Sequence, residues 1–153
     1  AAWRGARLPT EAEWEVAARG GGGAYARTAY YNGNTDADVD ACAWHAANSG
    51  RRPYDAATPK RGAPPHPLGL VHIHGNVYEW CRDWYAPYPP DPTADPSGPT
   101  AAPPSARRVF RGGSWALPAA YARSAFRDGL APSGRIGFVG LRLVLPQPVD
   151  AGP

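Results

Sequence analysis

The chain has 153 residues, with 16 Lys and Arg against 13 Asp and Glu for a net charge of +3; this length suits one domain that buries roughly 70% of its unfolded surface. Six Trp, eight Tyr and three Phe supply a core, while 19 Pro and 18 Gly exclude long helices, so the composition predicts a loop-rich α+β domain. The positive charge is scattered arginine, without the basic run of a nucleic-acid-binding arm, and no apolar stretch approaches the ~20 residues of a membrane span.

Those absences predict a soluble protein of the bacterial cytoplasm or cell surface. The wealth of Arg, Ala, Pro and Gly with no Met points to a GC-rich genome and a chain that does not open on its own start codon.

In chain order, Thr10 and Glu13 form a capping box, good helix formers run to Arg19, and four glycines follow. The pattern predicts a helix over residues 11–19 with Trp14, Ala17 and Ala18 facing inward. Residues 20–67 read as a long structured loop, ordered by the aromatic island Ala43-Trp44-His45. Asp36, Asp38 and Asp40 alternate as in a calcium loop, but the Gly and distant Glu of an EF-hand are missing.

Val77, Trp80 and Trp84 predict a turn leading into a strand or helical turn within residues 68–85. After a second loop at 87–104, residues 108–110, 122–127 and 141–145 read as strands. The pair Gly112-Gly113 permits positive φ and close backbone approach. Cys42 and Cys81 each sit near a Trp and read as buried small hydrophobes, with a disulfide or a metal site as the alternatives. His72 and His74, with His66 nearby, would place imidazoles on one strand face, but no third metal ligand is evident and a surface turn is the favoured reading.

Three ordered strings, RLPTEAEWEVAARG (residues 7–20), HGNVYEWCRDWY (74–85) and the RGGSW to GLRLVL segment (111–145), resemble the formylglycine-generating enzyme family, also called the sulfatase-modifying-factor family. The resemblance spans residues 1–146, leaves 147–153 as a tail, and implies a C-type-lectin-like α+β fold. Catalytic members bind copper through two cysteines, five residues apart, that follow the Gly-Gly-Ser turn. Those positions here are Leu117 and Ala122, and neither supplies the soft thiolate that copper(I) needs. The resemblance therefore implies the scaffold without the oxidase, copper is not expected, and Ser114 and Tyr121 only shape a pocket.

The family also holds a structural calcium through a side-chain oxygen, backbone carbonyls and an acid, at positions that are here His72, Gly75, Val77 and Glu79. Imidazole is a poor ligand for a hard cation, so a weak calcium site is the expectation, with Glu79 pairing instead with Arg111 or Arg142. Family members carry further sequence upstream of Trp3, including a first strand. The resemblance thus implies an N-terminally incomplete domain, a missing upstream segment of the same protein, and an unpaired sheet edge at 141–145.

What remains is binding. Trp115, Leu117, Tyr121, Arg123, Phe126, Arg127 and Arg135, with Trp44 and His45 on an earlier loop, have the composition of recognition surfaces; Trp115 and Phe126 read equally well as core. The layout also resembles the variable region of retroelement-diversified proteins. These residues predict a binding module for an unknown ligand or protein. The alternatives are a family oxidase or an iron-dependent enzyme with its metal site supplied by another domain, and a sensor or surface-display module of a larger protein.

Overall fold

A computed structural model describes residues 5–22, 27–91 and 94–145; Trp3 and the tail at 147–153 lie outside them. Helix α1, Glu11–Ala18, begins with both halves of the capping box: the Thr10 hydroxyl accepts from the Glu13 amide, and the Glu13 carboxylate accepts from the Thr10 amide. It ends as glycine dictates. Gly20 takes φ +79°, its N–H reaches the Ala17 carbonyl (2.9 Å), and Gly21 N–H reaches Val16 (2.8 Å), which satisfies two terminal carbonyls. Trp14 and Ala18 are buried, as the sequence predicts, while Ala17 is half-buried.

Helix α2, Asp36–Cys42, corrects the reading of residues 20–67 as loop alone. Thr35 and Asp38 form a second capping box, so the alternating acids belong to a helix N-terminus, where carboxylates oppose the positive end of the dipole. Lys60 completes the other end. Its ammonium donates to the carbonyls of Asp40 and Ala43 (2.9 Å to the latter).

Four strands form one sheet: β1 (Tyr78–Trp84), β2 (Arg108–Arg111), β3 (Arg127–Leu130) and β4 (Val139–Leu141), ordered β3-β2-β1-β4. The β3–β2 and β2–β1 pairs are antiparallel, and β4 joins β1 in parallel. On β1 the period of two turns Glu79, Cys81 and Asp83 inward. Trp14 donates to Glu79 (2.8 Å), and Asp83 accepts from the Glu11 amide at the first turn of α1 (2.8 Å). Burial raises the Asp83 carboxyl above its ordinary range.

Two strand expectations shift. Residues 122–126 are not strand: a short 3-10 helix, Ala119–Ala122, and a turn lead into β3, which starts at Arg127. Nor is 141–145 an unpaired edge. Residues 139–141 pair with β1, and Val144 exchanges two backbone hydrogen bonds with Arg7 (3.0 and 2.8 Å). An upstream partner for the last segment is thus present in the chain itself. Cys42 and Cys81 are buried and free. No helix among the described residues is long and apolar enough to cross a membrane.

Candidate functional site

The Gly112-Gly113 turn creates the site. Both residues take positive φ (+96° and +73°), and a Cβ on Gly113 would lie 2.7 Å from the Ala122 backbone. Only glycine lets the chain press against the 3-10 helix so closely. Gly75 does the same for the neighbouring loop: a Cβ there would meet the Trp44 carbonyl at 2.4 Å.

Hydrogen bonds then tie three distant loops together. Ala46 N–H donates to Leu117 O (2.9 Å), the Ser49 hydroxyl to Trp115 O (2.8 Å), and Trp115 N–H to Asn76 O (2.7 Å). Behind them His74 is fully buried. Its Nδ1–H donates to Ala122 O (2.7 Å) and its Nε2 accepts from Tyr31 N–H (3.2 Å), a single tautomer that uses both nitrogens. Burial pushes its pKa down to about 4. His66 packs edge-on against Tyr31 (4.7 Å between centroids), and His72 Nε2 sits against the carbonyls of Asp55 and Thr58 (3.1 and 2.9 Å). All three histidines are buried, which corrects the surface-turn reading.

The predicted binding residues do not all share one surface. Trp44 is half-buried, stacked on Tyr54 at 3.9 Å with the Lys60 ammonium 4.4 Å over its ring. His45 is turned inward, bonded to Asp40 (2.6 Å). Trp115 and Leu117 are half-buried, while Tyr121 and Arg123 are exposed, and Tyr121 leans on Phe126 at 4.8 Å. Arg135 lines a separate cleft of about 420 Å³ with Trp80 and Ile136.

Arg127 belongs to a buried ion network. It meets Glu11 (2.7 and 2.6 Å) and stacks over Tyr85 and Tyr88. Glu11 also accepts from Arg111 (2.7 Å), which is wholly buried and bonds Glu15 and Ser124 O as well. Glu15 in turn holds Arg19 (2.7 Å).

Sequence reasoning missed one assembly. Arg19, Arg27, Asn34, Arg123, Phe126 and Arg127 line a cleft of about 520 Å³. Residues 19–34 and 123–127 are remote in sequence, and no spacing rule joins them. A larger cleft, about 950 Å³, lies between α1 and the segment holding Pro87, Tyr88 and Pro99; there Glu11 and Glu15 are already paired with arginines.

Metal fit follows from these contacts. At the two copper positions implied by the resemblance stand a half-buried isobutyl group and a buried methyl, so the donors do not fit copper. For calcium, Glu79 accepts from Trp14 and from Arg142 (2.7 Å for the shortest contact), which leaves little free carboxylate beside the carbonyl positions of Gly75 and Val77. Of the two partners expected for Glu79, Arg142 is the one bound. Among the described residues no three His, Cys, Asp or Glu side chains cluster as a metal site.

The twisted four-stranded sheet with few helices and long ordered loops is a C-type-lectin-like α+β fold. Residues 1–146 match the family described as sulfatase-modifying factor enzyme 1-like domain, and the chain belongs to that family. The formylglycine-generating enzyme of Streptomyces coelicolor is 39% identical over 152 residues, 93% of this chain and 47% of the relative. Hercynine oxygenase of Mycolicibacterium smegmatis is 35% identical over 151 residues, 94% of this chain and 34% of the relative. The solved structure of Treponema denticola variable protein 1 superposes with a TM-score of 0.79 at 38% identity, covering 94% of this chain and 49% of that one. The chain thus spans about half, or less, of the length of the relatives it matches.

Proposed function

We propose that this domain is a ligand- or protein-binding module on a formylglycine-generating-enzyme-like scaffold. One observation carries the reading: Leu117 and Ala122 occupy the positions where the family's chemistry requires thiolates. The cysteines the chain does have offer no substitute. Burial pushes the Cys42 thiol up to about 12 and raises Cys81 as well, so both stay protonated and poorly nucleophilic. Tyr121 and Arg123, exposed beside the Gly113 turn, supply the aromatic and guanidinium groups that dominate recognition hot spots. Copper has no role in this reading, and calcium at Gly75, Val77 and Glu79 binds weakly.

The test is aldehyde formation on a sulfatase-type cysteine peptide with the full-length protein and added copper. The reading predicts none above the no-enzyme control; aldehyde that disappears in Cys42→Ser or Cys81→Ser overturns it.

The similarity to hercynine oxygenase favours a second reading, an oxidation whose metal ligands lie outside this chain, since the chain covers 34% of that relative. Stoichiometric iron in the purified full-length protein would support it.

A further inference from the structure

We propose that the 520 Å³ cleft is an oxyanion site, taking a small ligand whose phosphate or carboxylate group lies against Arg27 and Arg123 and whose body rests on Phe126. The proposal rests on the binding-module reading and names the ligand class that such a module takes here. The volume falls in the ~300–1,000 Å³ range of small-molecule sites.

Charge makes the argument. Four arginines line the cleft and, among the described residues, no Asp or Glu does, an arrangement that repels itself unless anions compensate. Two of the four are compensated from behind, Arg19 by Glu15 (2.7 Å) and Arg127 by Glu11 (2.6 Å). Arg27 and Arg123 are not. Among the described residues neither has a carboxylate within ion-pair distance, and Arg123 donates only its Nε, to Ala120 O (3.0 Å). Asp36, which acts with Arg123 on the Tyr30 hydroxyl, lies outside the lining.

Two exposed arginines, remote in sequence, therefore line one recess, and among the described residues neither has a partner on its terminal amino groups. A planar guanidinium fork matches phosphate and carboxylate in bidentate geometry. Asn34 adds a neutral donor, because its side-chain oxygen is already held by Ala29 N–H (2.8 Å) and its amide nitrogen remains. The ion-paired Arg19 and Arg127 hold the floor in place, so little ordering is needed on binding. Phe126, half-buried and braced by Tyr121 at 4.8 Å, gives an apolar surface for the rest of the ligand.

Calorimetric titration of the full-length protein with inorganic phosphate, and separately with acetate, against sodium chloride at matched ionic strength tests this. One saturable site for either anion is expected, weakened at least tenfold in Arg27→Ala and in Arg123→Ala. Both side chains are exposed, so both variants should melt like the parent in chloride, and Arg27→Lys, which keeps the charge and loses the fork, should fall between. The tighter anion names the ligand's headgroup. No saturation by either anion, or affinity unchanged in both alanine variants, overturns the site. Aldehyde formation in the peptide assay would instead sink the binding-module reading and leave the titration as it was, so the two failures are distinguishable.

Discussion

Glu11 serves two arginines at once, buried Arg111 and half-buried Arg127, with the Tyr88 hydroxyl as a third donor. Removing one member of such a network leaves uncompensated charge in a medium that solvates it poorly, which costs about 3–5 kcal/mol for buried pairs. Glu11→Gln should therefore lower stability to urea by about 3 kcal/mol, whereas Glu13→Gln, on an ion pair that is over 40% exposed on both sides, should cost below about 1 kcal/mol. Equal effects would mean that the buried network does not hold α1 to the sheet. His74 adds a pH signature. Its folded pKa is about 4 against the ordinary 6.5 of histidine, so between those values the unfolded chain binds the extra proton and stability rises with pH. The contribution is complete above about 6.5 and is lost as pH falls toward 4, about 2 kcal/mol by pH 5. His66, lowered by burial too, acts in the same direction. Denaturant midpoints from pH 7 to 5 should drop in the parent and drop less in His74→Asn; parallel curves would contradict the assignment. At this scale the sequence exposed Glu79 as a candidate for a core arginine, because a carboxylate in an apolar strand demands a cation. Buried histidines were not legible, since a polar HIH string gives no sign that Tyr31 and Ala122 will use both nitrogens of one ring.

Helix α1 was readable because Thr10 and Glu13 state its start and Gly20 its stop. Helix α2 has the same device, Thr35 with Asp38, but a shorter acid at the third position and two further aspartates gave it the look of an ion loop. Thr35→Ala should remove one cap and cost about 1 kcal/mol in a denaturant titration; no loss would show that α2 is held by packing of Val39 and Cys42 alone. The strands were located to within a few residues where side chains alternate, as at β2, and misplaced where the backbone decides. The segment 122–127 reads as strand in the sequence, yet the chain leaves the 3-10 helix at Ala122, turns, and begins to pair only at Arg127. The final segment was expected to lack a partner, and Arg7 supplies one. Amide exchange should accordingly be slow at Arg7 and Val144, which bond each other, and fast at Leu145, 67% exposed beside them. Fast exchange at Val144 would restore the open-edge reading.

For the whole molecule, sheet, helices and glycine turns reproduce a family scaffold, and on our proposal this scaffold serves binding. Aromatic content and the three motif strings made the scaffold legible from sequence. The arginine cleft was out of reach because it exists only once residues 19–34 and 123–127, remote in sequence, are brought side by side. The central claim is that Leu117 and Ala122 sit where copper ligands would have to be. Copper(I) titration of the full-length protein under reducing conditions, against a competing chelator, tests it most directly. The parent should show no tight site, and the Leu117→Cys, Ala122→Cys double variant should bind one copper. Tight stoichiometric copper in the parent, or none in a folded double variant, would contradict the account.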